Sequence, residues 1–174
     1  MRWQQLVDSA KKTMAHLHHS VAALRIFGDM LSPDEISRLL GGVPTESFSK
    51  RQVKPSKTKE IIRKSGGWIL NAADQEPGNL DAQVEEIFGQ LTKDLSVWAA
   101  LSNEYKVDLF CGFFMSETDE GIEVSAKTLQ TLGERGIKFG VCIYAPLKDV
   151  ADEDPCPCES GLKYAECCAP KKAS

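Results

Sequence analysis

The run LRIFGDMLSPDEISRLLGGVPTESF, residues 24–48, joins a strand to a helix and thereby sets the fold class. Val21 to Phe27 is apolar except for Arg25 and runs into Gly28-Asp29, the pattern of a strand that ends in a turn. Ser32-Pro33-Asp34-Glu35 then offers an N-cap serine, a first-turn proline and an acidic pair, each of which favours a helix start. Ile36, Leu39 and Leu40 form the apolar stripe of that helix, and Gly41-Gly42 stops it.

The same reading extends outward in both directions. Residues 45–49 and 67–71 suggest two shorter strands, followed by one long helix from Leu80 to about Leu101 with Leu80, Val84, Ile87, Phe88, Leu91, Leu95 and Trp98 on one side. Val107 to Met115 is the expected central strand, Ser125 to Gly133 a short helix, and Ile137 to Tyr144 the closing strand. Upstream, Trp3, Leu6, Val7, Ala10, Met14 and Leu17 recur at helical spacing with Lys11 and Lys12 on the other side, which predicts an N-terminal helix within residues 1–19. It would end around His16 to His19, where cationic or polar side chains suit a helix C-terminus better than they suit a metal. Helices interleave with strands throughout, so the expected class is α+β, a mixed or antiparallel sheet with helices packed on it, plus a small C-terminal zinc module. Cys111 and Cys142 fall in apolar strands and read as small core hydrophobes.

Length and composition permit one core and one appendage: 174 residues, 42% hydrophobic, 26% charged, formal net charge −4. The boundary falls near residues 147–155, where apolar alternation gives way to an acidic, proline-bearing linker between the 20–146 body and a motif at 156–170. That motif is DPCPCESGLKYAECC, which holds four of the six cysteines, Cys156, Cys158, Cys167 and Cys168. Zinc takes four thiolates at tetrahedral corners about 2.3 Å away, and two close pairs can supply them if the chain folds back between them. Ser160-Gly161 offers the turn, with Gly161 free to take positive φ, and Tyr164 the one sizeable apolar cover. Disulfides are the competing use of these cysteines. The N-terminus MRWQQ lacks the features of a secretory signal and no run of about eighteen apolar residues exists, so a reducing, cytoplasmic setting is expected, in which clustered cysteines favour metal.

This tail resembles the SEC-C motif, the short zinc module at the C-terminus of the SecA translocation motor. The likeness is carried by Cys156, Cys158, Ser160, Gly161, Cys167 and Cys168, with Tyr164 where the motif has an aromatic. Two positions depart: Glu159 stands where glycine is common, and the usual lysine-rich stretch is reduced to Lys163. The resemblance implies Zn2+ and a docking role, with Lys163 and Tyr164 facing a protein partner such as a chaperone, translocation or ribosome-associated component. It does not imply a motor, since no GxxxxGK[ST] loop is present. Residues 149–174 carry six acids against three lysines, which disfavours nucleic acid or anionic lipid as the tail's partner. The body resembles a bacterial family, domain of unknown function 4279, through residues 24–48, Gly66-Gly67-Trp68-Ile69-Leu70 and the closing strand. That likeness implies a fold, covering about 20–146, more than a function.

One segment runs against the net charge. Residues 50–64 contain Lys50, Arg51, Lys54, Lys57, Lys59, Arg63 and Lys64 against Glu60 alone, a local balance of plus six. Such a run is either a solvated loop or an anion-docking site, whether for an external partner or for the chain's own acidic tail. No G-x-S-x-G elbow, H-E-x-x-H helix or dinucleotide fingerprint is present, and a closed four-sulfur site leaves no position for substrate. The leading expectation is a non-catalytic, zinc-binding interaction or adaptor protein. The alternative is a toxin-immunity or nucleic-acid-associated factor acting through the basic loop; a thiol-dependent enzyme using Cys111 stands behind both.

Overall fold

The computed structural model describes residues 15–54, 60–146, 153, 155 and 160–167. Through the body the elements run β1 (Ala15–His16), β2 (His19–Gly28), α1 (Pro33–Leu40), β3 (Glu46–Phe48), β4 (Val53–Lys54), β5 (Ile61–Ile62), β6 (Gly66–Asn71), α2 (Leu80–Gly89), α3 (Leu95–Glu104), β7 (Lys106–Phe114), β8 (Glu120–Gly121), α4 (Ala126–Glu134) and β9 (Lys138–Tyr144). The class is α+β. Five strands form one mixed sheet in the order β3-β6-β2-β7-β9, antiparallel except for the parallel β7–β9 pair that α4 connects. The middle strand is therefore β2, and the expected centre, 107–115, lies one place to its side.

Burial along β2 alternates residue by residue, so Ser20, Ala22, Leu24 and Ile26 point into one layer. Leu109 and Cys111 of β7 and Trp68 and Leu70 of β6 join them there, beneath Ile36 and Leu40 of α1, Leu80 and Ile87 of α2 and Trp98 of α3. Removing this much apolar surface from water is the main stabilising contribution, at roughly 25 cal/mol per Å². Trp68 ties α1 to the sheet, since its indole N–H donates to Ser37 Oγ at 3.0 Å. The opposite face carries an Arg25–Asp108 ion pair at 2.7 Å, with the guanidinium over the Phe110 ring.

Helix α1 has the limits read from the sequence, with Ser32 as N-cap, Pro33 at its start and Gly41 in the left-handed conformation at φ 73°. The expected helix 80–101 is instead two. Asp94 caps α3 by accepting from Ser96 N at 2.9 Å, Leu91 turns into the core between the helices, and Thr92 N donates to Leu40 O at 2.8 Å. The break thus satisfies backbone groups that a continuous helix would have consumed internally. Gly66 begins β6 against the loop after β2; a methyl there would lie 2.7 Å from the Leu31 carbonyl oxygen. Gly66→Ala is expected to cost about 2 kcal/mol, because backbone cannot give way as a side chain does, and urea unfolding measures it.

The N-terminal expectation needs correction where it can be compared. Residues 1–14 lie outside those described, but Ala15 to His19 are not the end of a helix: Ala15–His16 pair in parallel with Glu120–Gly121, and His19 opens β2. Leu17, placed on the helical stripe by its spacing, is buried under the extended chain, where its side chain would meet a Cβ at Gly78. Glu120 secures this junction by accepting from the Ser116 hydroxyl at 2.6 Å and from the backbone N–H groups of His18, Ser116 and Glu117. Those bonds, the Ser116 hydroxyl foremost and against some desolvation, bring its carboxyl down to about 2. A lowered folded value stabilises above the ordinary carboxylate range and is lost as pH falls through the folded one. A carboxyl NMR titration should therefore place the Glu120 midpoint near 2, with the His18 amide exchanging faster below it.

Candidate metal centre and basic hairpin

In the tail, local geometry supplies a reversal of the chain. Pro155 and Lys163 face each other in an isolated antiparallel bridge, and Gly161 sits between them at φ 77°, a conformation that side-chain-bearing residues rarely adopt. Ser160 completes the turn: its hydroxyl accepts from Leu162 N at 3.4 Å and donates to Cys167 Sγ at 3.3 Å. A single turn of 3₁₀ helix, Tyr164–Glu166, then delivers Cys167, whose N–H donates to Tyr164 O at 3.1 Å. Tyr164 is half-buried. Lys163 is exposed and pairs with Glu153, so the one lysine retained from the usual run is engaged inside the tail.

Cys156, Cys158 and Cys168 lie outside the described residues, and among the described ones no three histidine, cysteine or acidic side chains converge on a metal position. What is described fits a thiolate site. The reversal stands between the two cysteine pairs, and a hydroxyl donating to Cys167 sulfur is the kind of outer hydrogen bond that steadies a ligand's charge. Two of the three histidines meet acids: His18 lies 3.5 Å from Glu76, and His19 lies 3.4 Å from Asp74 and stacks on Phe114, while His16 is exposed in β1.

The basic segment is a small hairpin, β4 against β5, with Lys57 and Lys59 outside the described residues. Its charges are partly spent within the fold. Lys50 pairs with Asp29, Lys54 with Glu46 at 3.3 Å, and Arg63 with Glu46 at 2.6 Å while lying over the Phe48 ring. Arg51, at φ 68°, and Lys64 are exposed and have no acidic partner among the described residues. The local excess seen in the sequence is thus reduced by two acids outside the 50–64 segment, Asp29 and Glu46. That these acids fold onto the hairpin follows from β3 pairing with β6 and from the turn after β2, which a charge count along the sequence does not include.

Cys111 is fully buried, and burial pushes its thiol up to about 12, which suits packing and not nucleophilic attack. Cys142 is half-buried and pairs with Gly112, between Cys111 and Phe113 of the core row, so it lies on the opposite face of the sheet and the core reading does not hold for it. A cleft of about 320 Å³ opens between α2 and α4. Several of its polar groups serve the fold: Asp81 accepts from Ser125 N, Lys127 pairs with Glu85, and Arg135 donates to Thr131 O beside the Phe88 and Trp98 rings, while Arg135 Nε is buried with no hydrogen-bond partner among the described residues.

Comparison with known families matches residues 16–146 to a domain of unknown function, DUF4279, and residues 154–170 to the SEC-C motif. The first match starts at the β1–β8 junction and ends just past β9, so it spans the whole described body. No curated protein and no solved structure matches the chain. No helix among the described residues is long and apolar enough to cross a membrane.

Proposed function

We propose that this chain, which belongs to the DUF4279 family and carries a SEC-C motif after that domain, is a non-catalytic adaptor whose tail docks a protein partner. The observation that carries the reading is the fold-back at Ser160-Gly161 within the SEC-C match, with Cys167 held by the Ser160 hydroxyl. Cys156, Cys158, Cys167 and Cys168 would hold the metal; when bound, zinc supplies a closed cross-link among four thiolates and no open coordination position. Ser160 then steadies one sulfur, Gly161 permits the reversal, and Tyr164 presents the one aromatic surface of the module. A thiolate site of this kind belongs in a reducing compartment, so a cytoplasmic protein is proposed. Pairing of Lys50, Lys54 and Arg63 with Asp29 and Glu46 favours the tail over the hairpin as the docking element.

The test is affinity capture from the native host with the full chain, compared with Cys156→Ser/Cys158→Ser and with Arg51→Gln/Lys64→Gln. Loss of protein partners in the cysteine variant alone is the expected outcome. Partners that survive it and vanish in the hairpin variant, or that prove to be nucleic acid, would overturn the adaptor reading in favour of the hairpin.

A further inference from the structure

The cleft between α2 and α4 holds a cation that the described fold leaves uncompensated. Arg135 follows α4, and its Nη1 donates to Thr131 O at 3.0 Å. Among the described residues Nη1 is the one guanidinium nitrogen with an acceptor: Nε is buried without one, and Nη2 beside it also has none. No acid among those residues pairs with Arg135. The Phe88 and Trp98 ring centroids lie 5.5 and 5.8 Å from the guanidinium carbon, near the outer limit of about 6 Å for attraction to a π face. A half-buried donor edge without an acceptor is costly to a fold, so its presence in a cleft points to a ligand that supplies one.

We propose that this cleft binds a small organic monocarboxylate, with its carboxylate on Nη2 of Arg135 and its apolar body along Val84 and Phe88. Size permits this, since about 320 Å³ is at the lower end of ligand pockets. Charge selects the class. The cleft carries Lys93, Lys127 and Arg135 against Asp81 and Glu85, a balance of plus one in a chain of minus four. Both acids already have donors: Asp81 accepts from Ser125 N on its two oxygens, at 3.1 and 3.2 Å, and Glu85 pairs with Lys127 at 3.4 Å. Arg135 and the exposed Lys93 remain, enough for one negative charge beside two carboxylates and poorly suited to a phosphate dianion. The Thr131 hydroxyl is spent on Lys127 O, so recognition converges on the guanidinium, whose planar edge matches the two oxygens of a carboxylate. Gly89 keeps the opposite wall low, for a Cβ there would meet nothing within 4 Å. The site lies in the body and stands apart from docking by the tail.

Titration of the full chain with hexanoate, followed by amide and methyl NMR, tests this. Expected are saturable shifts at Thr128, Thr131 and the Val84 methyls, with none from the neutral hexanamide at the same concentration. Arg135→Gln should weaken hexanoate at least about tenfold. Gly89→Leu, which keeps all three cations and replaces glycine by a better helix former, should fill the cleft and abolish the shifts. Lys106→Gln, on the other face of the sheet, should leave them unchanged. No saturable shift, an equal response to hexanamide, or shifts that survive Gly89→Leu would overturn the proposal. Inorganic phosphate binding the cleft more tightly than hexanoate would overturn the carboxylate assignment.

Discussion

Gln83→Ala will destabilise the body by about 3 kcal/mol, more than removing most single surface interactions, because the side chain is a fully buried amide that makes three hydrogen bonds. Its oxygen accepts from Ser20 Oγ at 2.9 Å, and its nitrogen donates to Ser20 O and Ala73 O, each at 3.0 Å. Ser20 Oγ in turn accepts from Asn79 N at 3.1 Å, just before α2 begins. Truncation takes its acceptor from the buried Ser20 hydroxyl and leaves Ser20 O with Gln75 N alone, at 3.0 Å, and it does so where β2, the loop after β6 and α2 meet. Ser20→Ala removes only the hydroxyl and should cost about 1 kcal/mol. Urea unfolding of the two single variants and the double variant checks this; a double variant equal to the sum of the singles would show that the groups do not act together.

The second large effect concerns the tail. Full-length chain should carry one equivalent of zinc, and Cys158→Ser should carry none, by elemental analysis of reduced protein. Zinc sites of four thiolates in small motifs contribute on the order of 10 kcal/mol of binding, which is also their folding free energy, so the loss is all or none rather than graded. Chelation should accordingly collapse the resonances of Ser160 to Cys167 while the tryptophan-reported unfolding of the body, with Trp68 and Trp98 in its core, keeps its midpoint. Retention of zinc by Cys158→Ser would sink the four-thiolate assignment.

Much of this architecture could be read from local pattern, and the failures share a cause. β2, α1, β6, α4 and β9 each have a period or a cap that depends on neighbours within a few residues: the apolar run at 21–27, Ser32-Pro33, Gly66-Gly67-Trp68 and the Ser125 cap, whose hydroxyl accepts from Thr128 N. Misreadings arise where a distant partner decides. The helix expected over 80–101 shows continuous apolar spacing, and only Asp94 two residues before Ser96 betrays the second cap. Leu17 fits a helical stripe as well as it fits a strand, and Gly121 settles the matter by accepting from Leu17 N at 2.9 Å. The burial of Gln83 has no local signal, because its partners at Ser20 and Ala73 are not sequence neighbours. The tail differs: its cysteine spacing and its turn glycine were both visible, and Gly161 does take the positive φ its position required.

The placement of β2 also bears on how the protein is made. Its two neighbours in the sheet, β6 and β7, follow it in the chain, and the Ile26–Val107 and His19–Phe114 partners lie some 80 to 95 residues apart. At about 5–20 residues per second, a ribosome needs roughly 4–20 s after finishing this strand before the second neighbour is even synthesised. During that interval Ala22, Leu24 and Ile26 of the nascent polypeptide have no completed sheet to enter, so the segment that organises the mature domain is also the one that most needs shielding at birth.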